Sequence, residues 1–174
     1  MSGLSISVEG VTGLLKHPLF DMQKRRRKVE IFLEELAQIG VRDATIRFAK
    51  AEYDGVNDVV VHSPEWIDDH TLQIVADGQS ILFIEFGTGI YNPVEHPRAN
   101  ALGMNRGEYG KGNGMRRGWV YYGEPGTNGE LVHFGEYYTG AIFTRGNNAN
   151  MCMFLAADEM RKQIARTAER VFTK

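Results

Sequence analysis

The sequence predicts an α+β domain, and three observations carry that prediction. Apolar residues recur at three- and four-residue spacing near both ends of the chain. They fall at Val29, Phe32, Leu33 and Leu36, and again at Met153, Ala157, Met160, Ile164, Ala168 and Val171, the spacing that gathers side chains on one helix face. Between them, residues 57–62, 71–76 and 80–86 are rich in β-branched and aromatic residues and read as strands, with Asp77-Gly78 as a hairpin turn between the last two. The glycines, 20 in 174 residues, cluster between Gly87 and Gly146. That clustering marks an irregular excursion rather than a second domain.

Each element follows from its residues. Residues 1–20 are expected as a short lead-in, in which Pro18 can open a helix because its missing N–H is not needed there. Helix is expected over 21–39, with Gly40 as its C-terminal break. In 41–52, Ala44, Ile46 and Phe48 alternate like a strand, but the Ala-Lys-Ala-Glu content favours a continued or second helix. Residues 53–58 are turn-rich. Of the three antiparallel strands, 80–86 is apolar nearly throughout and is therefore placed centrally, covered on both faces. A loop as long as 88–139 is uncommon in a compact domain unless it has a task. A second hairpin is expected inside it, from 119–122 and 131–134 across 123–129. Helix returns over 148–172, started by one of Asn147, Asn148 or Asn150 and packed on the sheet. Asp158, Lys162, Arg166 and Arg170 form its polar stripe. The whole chain, 1–174, is expected as a single domain.

Composition narrows the function classes. Twenty Lys+Arg against 22 Asp+Glu give a formal charge of −2, so no global charge points to nucleic acid or to anionic membranes. A hydrophobic content of 43% supplies a sizeable core. The lone Cys152 excludes an internal disulfide and fits a reducing cytoplasm. No apolar run approaches the roughly 18 residues that span a bilayer, and the start of the chain lacks the basic-then-apolar pattern of a signal peptide. His17, His62, His70, His96 and His133 lack metal-ligand spacing, so neither metal nor cofactor is expected. No nucleophile elbow or Ser, His and acid combination announces itself. A hydrolase has only the length of the loop behind it.

Two segments stand out. Ser80-Ile-Leu-Phe-Ile-Glu-Phe-Gly-Thr-Gly89 is an apolar run with one acid, Glu85, ending in a Gly-Thr-Gly turn. Thr144-Arg-Gly-Asn-Asn-Ala-Asn-Met-Cys-Met153 leads straight into a helix. As part of a strand, Glu85 faces opposite to Ile84 and Phe86, is partly buried, and needs a partner. That partner lies either within the subunit or across a subunit boundary. Catalysis is the weakest reading, because no second acid, base or nucleophile sits at a recognisable spacing from it.

The glycine-rich run Gly103-Met-Asn-Arg-Gly-Glu-Tyr-Gly-Lys-Gly-Asn-Gly114 is not a phosphate-binding loop, since no Gly-x-x-x-x-Gly-Lys-Ser/Thr occurs. It reads first as a surface loop. With Arg98, Arg106, Lys111, Arg116 and Arg117 in or beside it, it also suits contact with phosphate or with an acidic protein surface. Lys24-Arg-Arg-Arg-Lys28 reads first as a solvated helix face, with Arg26 placed to pair with Glu30 at i,i+4. Segments 24–28 and 98–117 together define the alternative reading, a phosphate- or nucleic-acid-binding module. Trp119, Tyr121, Tyr122, Tyr137 and Tyr138 are aromatic anchors either for a neighbouring subunit or for a hairpin packed on its own subunit.

The order of these pieces resembles the tail-completion or head–tail joining family of tailed bacteriophages, also described as minor capsid or tail components. The matching pieces are Ile81–Gly89, with its Phe-Ile-Glu-Phe-Gly-Thr-Gly-like strand, a variable loop, the Gly146-Asn-Asn-Ala-Asn-Met151 run and the helix to Phe172. Gly103 to Gly112 and Trp119-Val-Tyr-Tyr122 are similar to longer-loop members. The family's Pro before the helix-opening region is missing. The resemblance implies a structural virion protein and no enzyme. It implies a ring of copies of itself, commonly hexameric, at the head–tail junction of the virion, built in the host cytoplasm and clear of any membrane. Neck, connector and tail-tube proteins are the implied neighbours, with DNA a transient contact in the channel. On that reading Glu85, Arg98, Arg106, Lys111, Arg116, Arg117, Trp119, Tyr121 and Tyr122 are the interaction residues.

Overall fold

The computed structural model describes residues 3–9, 22–89, 96–104 and 118–173. Helices and antiparallel sheets are mixed, as an α+β chain requires. The chain divides into two compact units. Gly3–Ile46, Val60–Asp77 and Met153–Lys174 form the first, and Met1–Ser2, Arg47–Val59 and Gly78–Cys152 the second. Pro18 lies outside the described residues.

In the first unit, β1 (Gly3–Glu9), β2 (Val60–Val61), β3 (Glu65–Trp66) and β4 (Thr71–Asp77) form a sheet in the order β1-β4-β2, with β3 also on β4. All pairings are antiparallel. Leu4 lies opposite Ala76 and Ile6 opposite Ile74. Leu72, Ile74 and Ala76 are buried, and the residues between them are not, which is the period of two that a one-sided sheet imposes. Helices α1 (Met22–Ala49) and α3 (Cys152–Phe172) supply the apolar cover. Phe32 of α1 and Phe172 of α3 meet with ring centroids 5.8 Å apart.

Several expectations fail here. The lead-in contains a strand, β1, whose Leu4, Ile6 and Val8 alternate with Ser5 and Ser7. Gly40 does not end its helix. It sits mid-helix where a Cβ would lie 2.3 Å from Met160 Sδ and 2.7 Å from Ile74 Cδ1, so its missing side chain lets α1 approach α3 and β4. Of 57–62 only β2 is strand, and β3 was not anticipated. The buried stripe of α3 takes in Met153, Ala156, Met160, Thr167 and Val171, whereas Ile164 is 45% exposed.

The second unit holds a short helix, α2 (Ile81–Phe86), a 3-10 turn at Asn100–Leu102, and the strands β5 (Trp119–Tyr122), β6 (Glu130–Phe134) and β7 (Tyr137–Thr144). The strand expected at 80–86 is therefore α2. A six-residue apolar run has no period that separates strand from buried helix, and Ile81, Ile84, Glu85 and Phe86 are all buried. Asp77-Gly78 is consequently a strand-to-helix turn. Asp58 holds it, accepting from Gln79 N–H at 2.8 Å, Ser80 N–H at 2.9 Å and the Ser80 hydroxyl. The second hairpin is also corrected. β5 and β6 do not pair with each other, because β7 lies between them in the order β5-β7-β6. Gly140 interrupts the apolar pattern of 137–144 and hides the strand.

Candidate docking site

The two segments singled out in the sequence lie against each other and form a clasp. After α2 the chain turns at Gly87 (φ 81°), and Thr88 N–H donates to the Asn147 carbonyl at 2.8 Å. The Thr88 hydroxyl donates to Asn147 Oδ1 at 2.7 Å and accepts from Asn147 N–H at 3.1 Å. Asn147, 1% exposed, donates its side-chain amide to the Phe83 carbonyl at 3.1 Å. The backbone continues the contact, with Asn150 N–H on the Ile84 carbonyl and Met151 N–H on that of Glu85. Glycine is required on both sides. A Cβ on Gly89 would sit 2.0 Å from the Arg145 carbonyl oxygen, and one on Gly146 would sit 2.2 Å from that of Thr88.

The asparagines do not begin the helix as expected. Asn147 fills the clasp. Asn150 pairs like a backbone amide with Glu52, accepting from its N–H at 3.0 Å and donating to its carbonyl at 2.9 Å. Met151 turns the chain into α3 with φ 52°.

Glu85 is buried, and its partner is within the chain. Its Oε1 lies 3.2 Å from His96 Nε2, with both side chains 2% exposed. Arg98 N–H donates to His96 Nδ1 at 3.1 Å, so the imidazole proton sits on Nε2 and is donated to the carboxylate. Phe86 packs on the His96 ring, centroids 4.4 Å apart. Thus Glu85 anchors the return of the chain at 96–98. It does not face opposite to Ile84, as a strand would have required.

A second buried acid anchors the sheet. Asp54, 6% exposed, accepts from Asn128 N–H at 2.6 Å and from the Thr144 hydroxyl. The Tyr121 hydroxyl donates to the Glu124 carbonyl at 3.3 Å and accepts from Gly126 N–H at 3.1 Å. Burial, then the charges of Asp58, Tyr121 and Asp54, push the neighbouring Tyr53 phenol above its usual range. One end of the sheet is thereby tied to the unit.

The other end is open. β6 and β7 close through Gly135 and Glu136, with Phe134 opposite Tyr137. Gly135 has φ 62°, the positive angle a type II′ turn needs at its first central residue. Tyr122 is 79% exposed, Phe134 82% and Tyr137 81%; Val120, on the same face as Tyr122, and Leu131, opposite Ile142 on the other face, are about half exposed. From 118 to 144 the chain carries Glu124, Glu130 and Glu136 and no Lys or Arg. The result is an apolar, aromatic and acidic prong. Several large apolar side chains exposed on one small sheet make it a candidate interaction surface.

The predicted interaction residues thus separate. Tyr122 lies on the open sheet. Trp119 and Tyr121 are half-buried and face inward, on the side of Thr144 and Ile142. Arg98 is exposed next to the His96 anchor. Arg106, Lys111, Arg116 and Arg117 lie outside the described residues. Val120 and Phe134 belong to the prong and were missed. The signal was the Phe134-Gly-Glu-Tyr137 turn, which fits a two-residue hairpin. In the 24–28 run, Arg26 pairs with Glu30 at 3.2 Å and Asp69 at 3.1 Å, Arg27 pairs with Glu30, and Lys28 reaches the Phe172 carbonyl.

Among the described residues no cluster of His, Cys, Asp and Glu is arranged to hold a metal ion, and no helix is long and apolar enough to cross a membrane. No protein-family model, curated protein or solved structure matches the chain at a significant level.

Proposed function

We propose that this chain is a structural component of the neck of a tailed bacteriophage, with no enzymatic role. In this reading copies of the chain close into a ring, commonly hexameric in the family it resembles, that completes the tail or joins it to the head connector. It acts at the head–tail junction of the virion after assembly in the host cytoplasm. One observation carries the docking part of the reading. The second unit presents Tyr122, Phe134 and Tyr137 on the open end of a sheet whose other end is held by Asp54. Exposed aromatic side chains on a well-anchored element give contact area at low ordering cost, which is how interface anchors act. The order of the clasp segments supplies the family part of the reading.

The nucleic-acid alternative draws less support. Arg26, Arg27 and Lys28 already have partners in the chain, which leaves less unpaired charge in 24–28 for phosphate.

The deciding experiment deletes the protein from a producing phage and images the particles. The expected result is DNA-filled heads without tails, with a ring at the junction restored when the wild-type chain is supplied. Complete, infectious particles without the protein would reject the reading.

A further inference from the structure

The sheet of the first unit ends on an open strand. β1 pairs with β4 along all seven residues from Gly3 to Glu9, and among the described residues no strand pairs with its outer side. Its apolar side chains are covered less well than those they face. Leu4 and Ile6 are half-buried, whereas Ala76 and Ile74, opposite them on β4, are 0% exposed. Ser5 and Ser7, on the alternate face, are exposed. Open edges normally carry a device that discourages pairing with another chain: short length, Pro, Lys or a bulge. The other edges have one. β2 and β3 are two residues each, with Pro64 between them. In the second sheet β5 has four residues, and β6 carries Glu130 and a register shift between Val132 and His133. β1 has seven residues, no Lys, no Pro, an unbroken register and a single charge, Glu9, at its end.

The strand's own sequence selects the partner. Gly3-Leu-Ser-Ile-Ser-Val-Glu9 has nearly the same pattern read from either end about Ile6. In an antiparallel pair of two copies centred on Ile6, Ile6 lies opposite Ile6, Leu4 opposite Val8 and Ser5 opposite Ser7. Aliphatic residues then meet aliphatic residues and hydroxyls meet hydroxyls, both of them favourable cross-strand pairs. Glu9 falls opposite Gly3, so no like charges meet. A slip of one residue would set Ile6 against Ser and turn the two apolar sets to opposite faces. We infer that two copies of this chain join β1 to β1 across a two-fold axis at Ile6, which makes one continuous sheet of their first units. Backbone hydrogen bonds hold such a seam, and the added strand extends the cover over Leu4 and Ile6. A two-fold contact uses the same patch on both partners, whereas a ring contact uses two different ones, so the inference does not rest on the neck reading. The contact is small, and its Kd is expected on the order of 10 μM.

The test uses the purified full-length chain, tagged only at its C-terminal end. Sedimentation should show a dimer that grows with concentration around that value. Ser5→Cys and Ser7→Cys, carried on separate chains, read the register, and Cys152, being buried, stays in place. Oxidation of an equal mixture should give unlike pairs in about tenfold excess over like pairs. Parallel pairing or a slip of two residues would join like with like. Ser5→Lys with Ser7→Lys on one chain should abolish its dimer, as should Ser5→Glu with Ser7→Glu on another, and mixing the two chains should restore pairing. Both serines are exposed, so melting curves of these variants should match wild type and exclude misfolding as the cause. A chain still monomeric about tenfold above the expected Kd would overturn the inference. So would cross-links in random or like-with-like proportions, or Lys and Glu chains that fail to pair when mixed.

Discussion

The clasp and the prong are both glycine-rich parts of one unit, and they use glycine for opposite reasons. In the clasp, Gly89 and Gly146 lie where a Cβ would strike the carbonyl of the facing segment. Around them the polar atoms of Thr88 and Asn147 are bonded to one another. In the sheet that forms the prong, Gly123, Gly135 and Gly140 have nothing within 4 Å of a Cβ, and only their positive φ calls for glycine. The clasp is a set of contacts that the two segments make with each other. The prong is held at one end and leaves its aromatic side chains without cover. Sequence features that catch the eye are thus not the ones that face outward. The two segments that carry the family resemblance build the support, and the less conspicuous 130–138 hairpin meets solvent.

The largest effect expected from this contrast is steric. Gly146→Ala places a methyl against the Thr88 carbonyl at a φ of 100°, so clash and backbone strain add. A loss of about 3 kcal/mol is expected, or a fall in Tm of roughly 10 °C for a chain of this size. Gly135→Ala meets no atom and costs about 1 kcal/mol for its left-handed backbone alone. Thermal melts of the two variants decide the matter. Equal losses would erase the distinction between a glycine required by contact and one required by conformation.

Much of the fold was legible in the residues. α1 and α3 announce themselves through three- and four-residue apolar spacing, and β4 through strict alternation. What was not legible had a local signal that pointed elsewhere. The Ile81-Leu-Phe-Ile-Glu-Phe86 run has strand composition, yet it is buried on so many sides that no alternation could declare it a helix. Gly40 has the composition of a helix end, but the close approach of Met160 and Ile74 gives it a packing role that no window of sequence contains. β7 is broken by Gly140, so its neighbours β5 and β6 were paired with each other. Of the site, the aromatic character was legible at Tyr122, but the partner of Glu85 was not. His96 is eleven residues away along the chain and is brought to Glu85 by the fold alone.

A smaller effect is expected at the other end of α2, where Asp58 holds the entering turn. The Ser80 hydroxyl first, and then the N–H groups of Gln79 and Ser80, stabilise the ionised carboxylate and lower its pKa below the usual 3.8, against a weaker opposing cost of burial. The folded-state pKa lies below the unfolded one. The stabilisation is therefore fully present above the unfolded value and is lost as pH falls through the folded value. Asp58 is exposed, so solvent screens it, and Asp58→Asn should cost only about 1 kcal/mol near neutral pH. Urea unfolding of both proteins from pH 7 down to pH 3 (roughly one unit below the usual range for Asp) should show a constant gap that narrows only below about pH 4. A gap that widens with acidity would mean that the turn is held by something other than the carboxylate charge.

The smallest effect on stability belongs to the prong, and it sharpens the comparison most. Phe134 and Tyr137 are opposite one another at the hairpin end and more than four-fifths exposed. Replacing both by Ser removes apolar area that is wet in the isolated chain, so little transfer free energy is lost. The cross-strand aromatic contact contributes at most about 1 kcal/mol. The turn itself is set by Gly135, which stays. The double variant should therefore unfold within roughly 1 kcal/mol of wild type, with an unchanged urea m-value, because the surface buried on folding hardly changes. Hydrogen exchange across the clasp should also be unaltered, since Asp54 and the Thr88–Asn147 pair lie at the tied end of the unit. A loss near that of Gly146→Ala would show that Phe134 and Tyr137 are packed in the free chain, and the prong would cease to be a surface available to a partner.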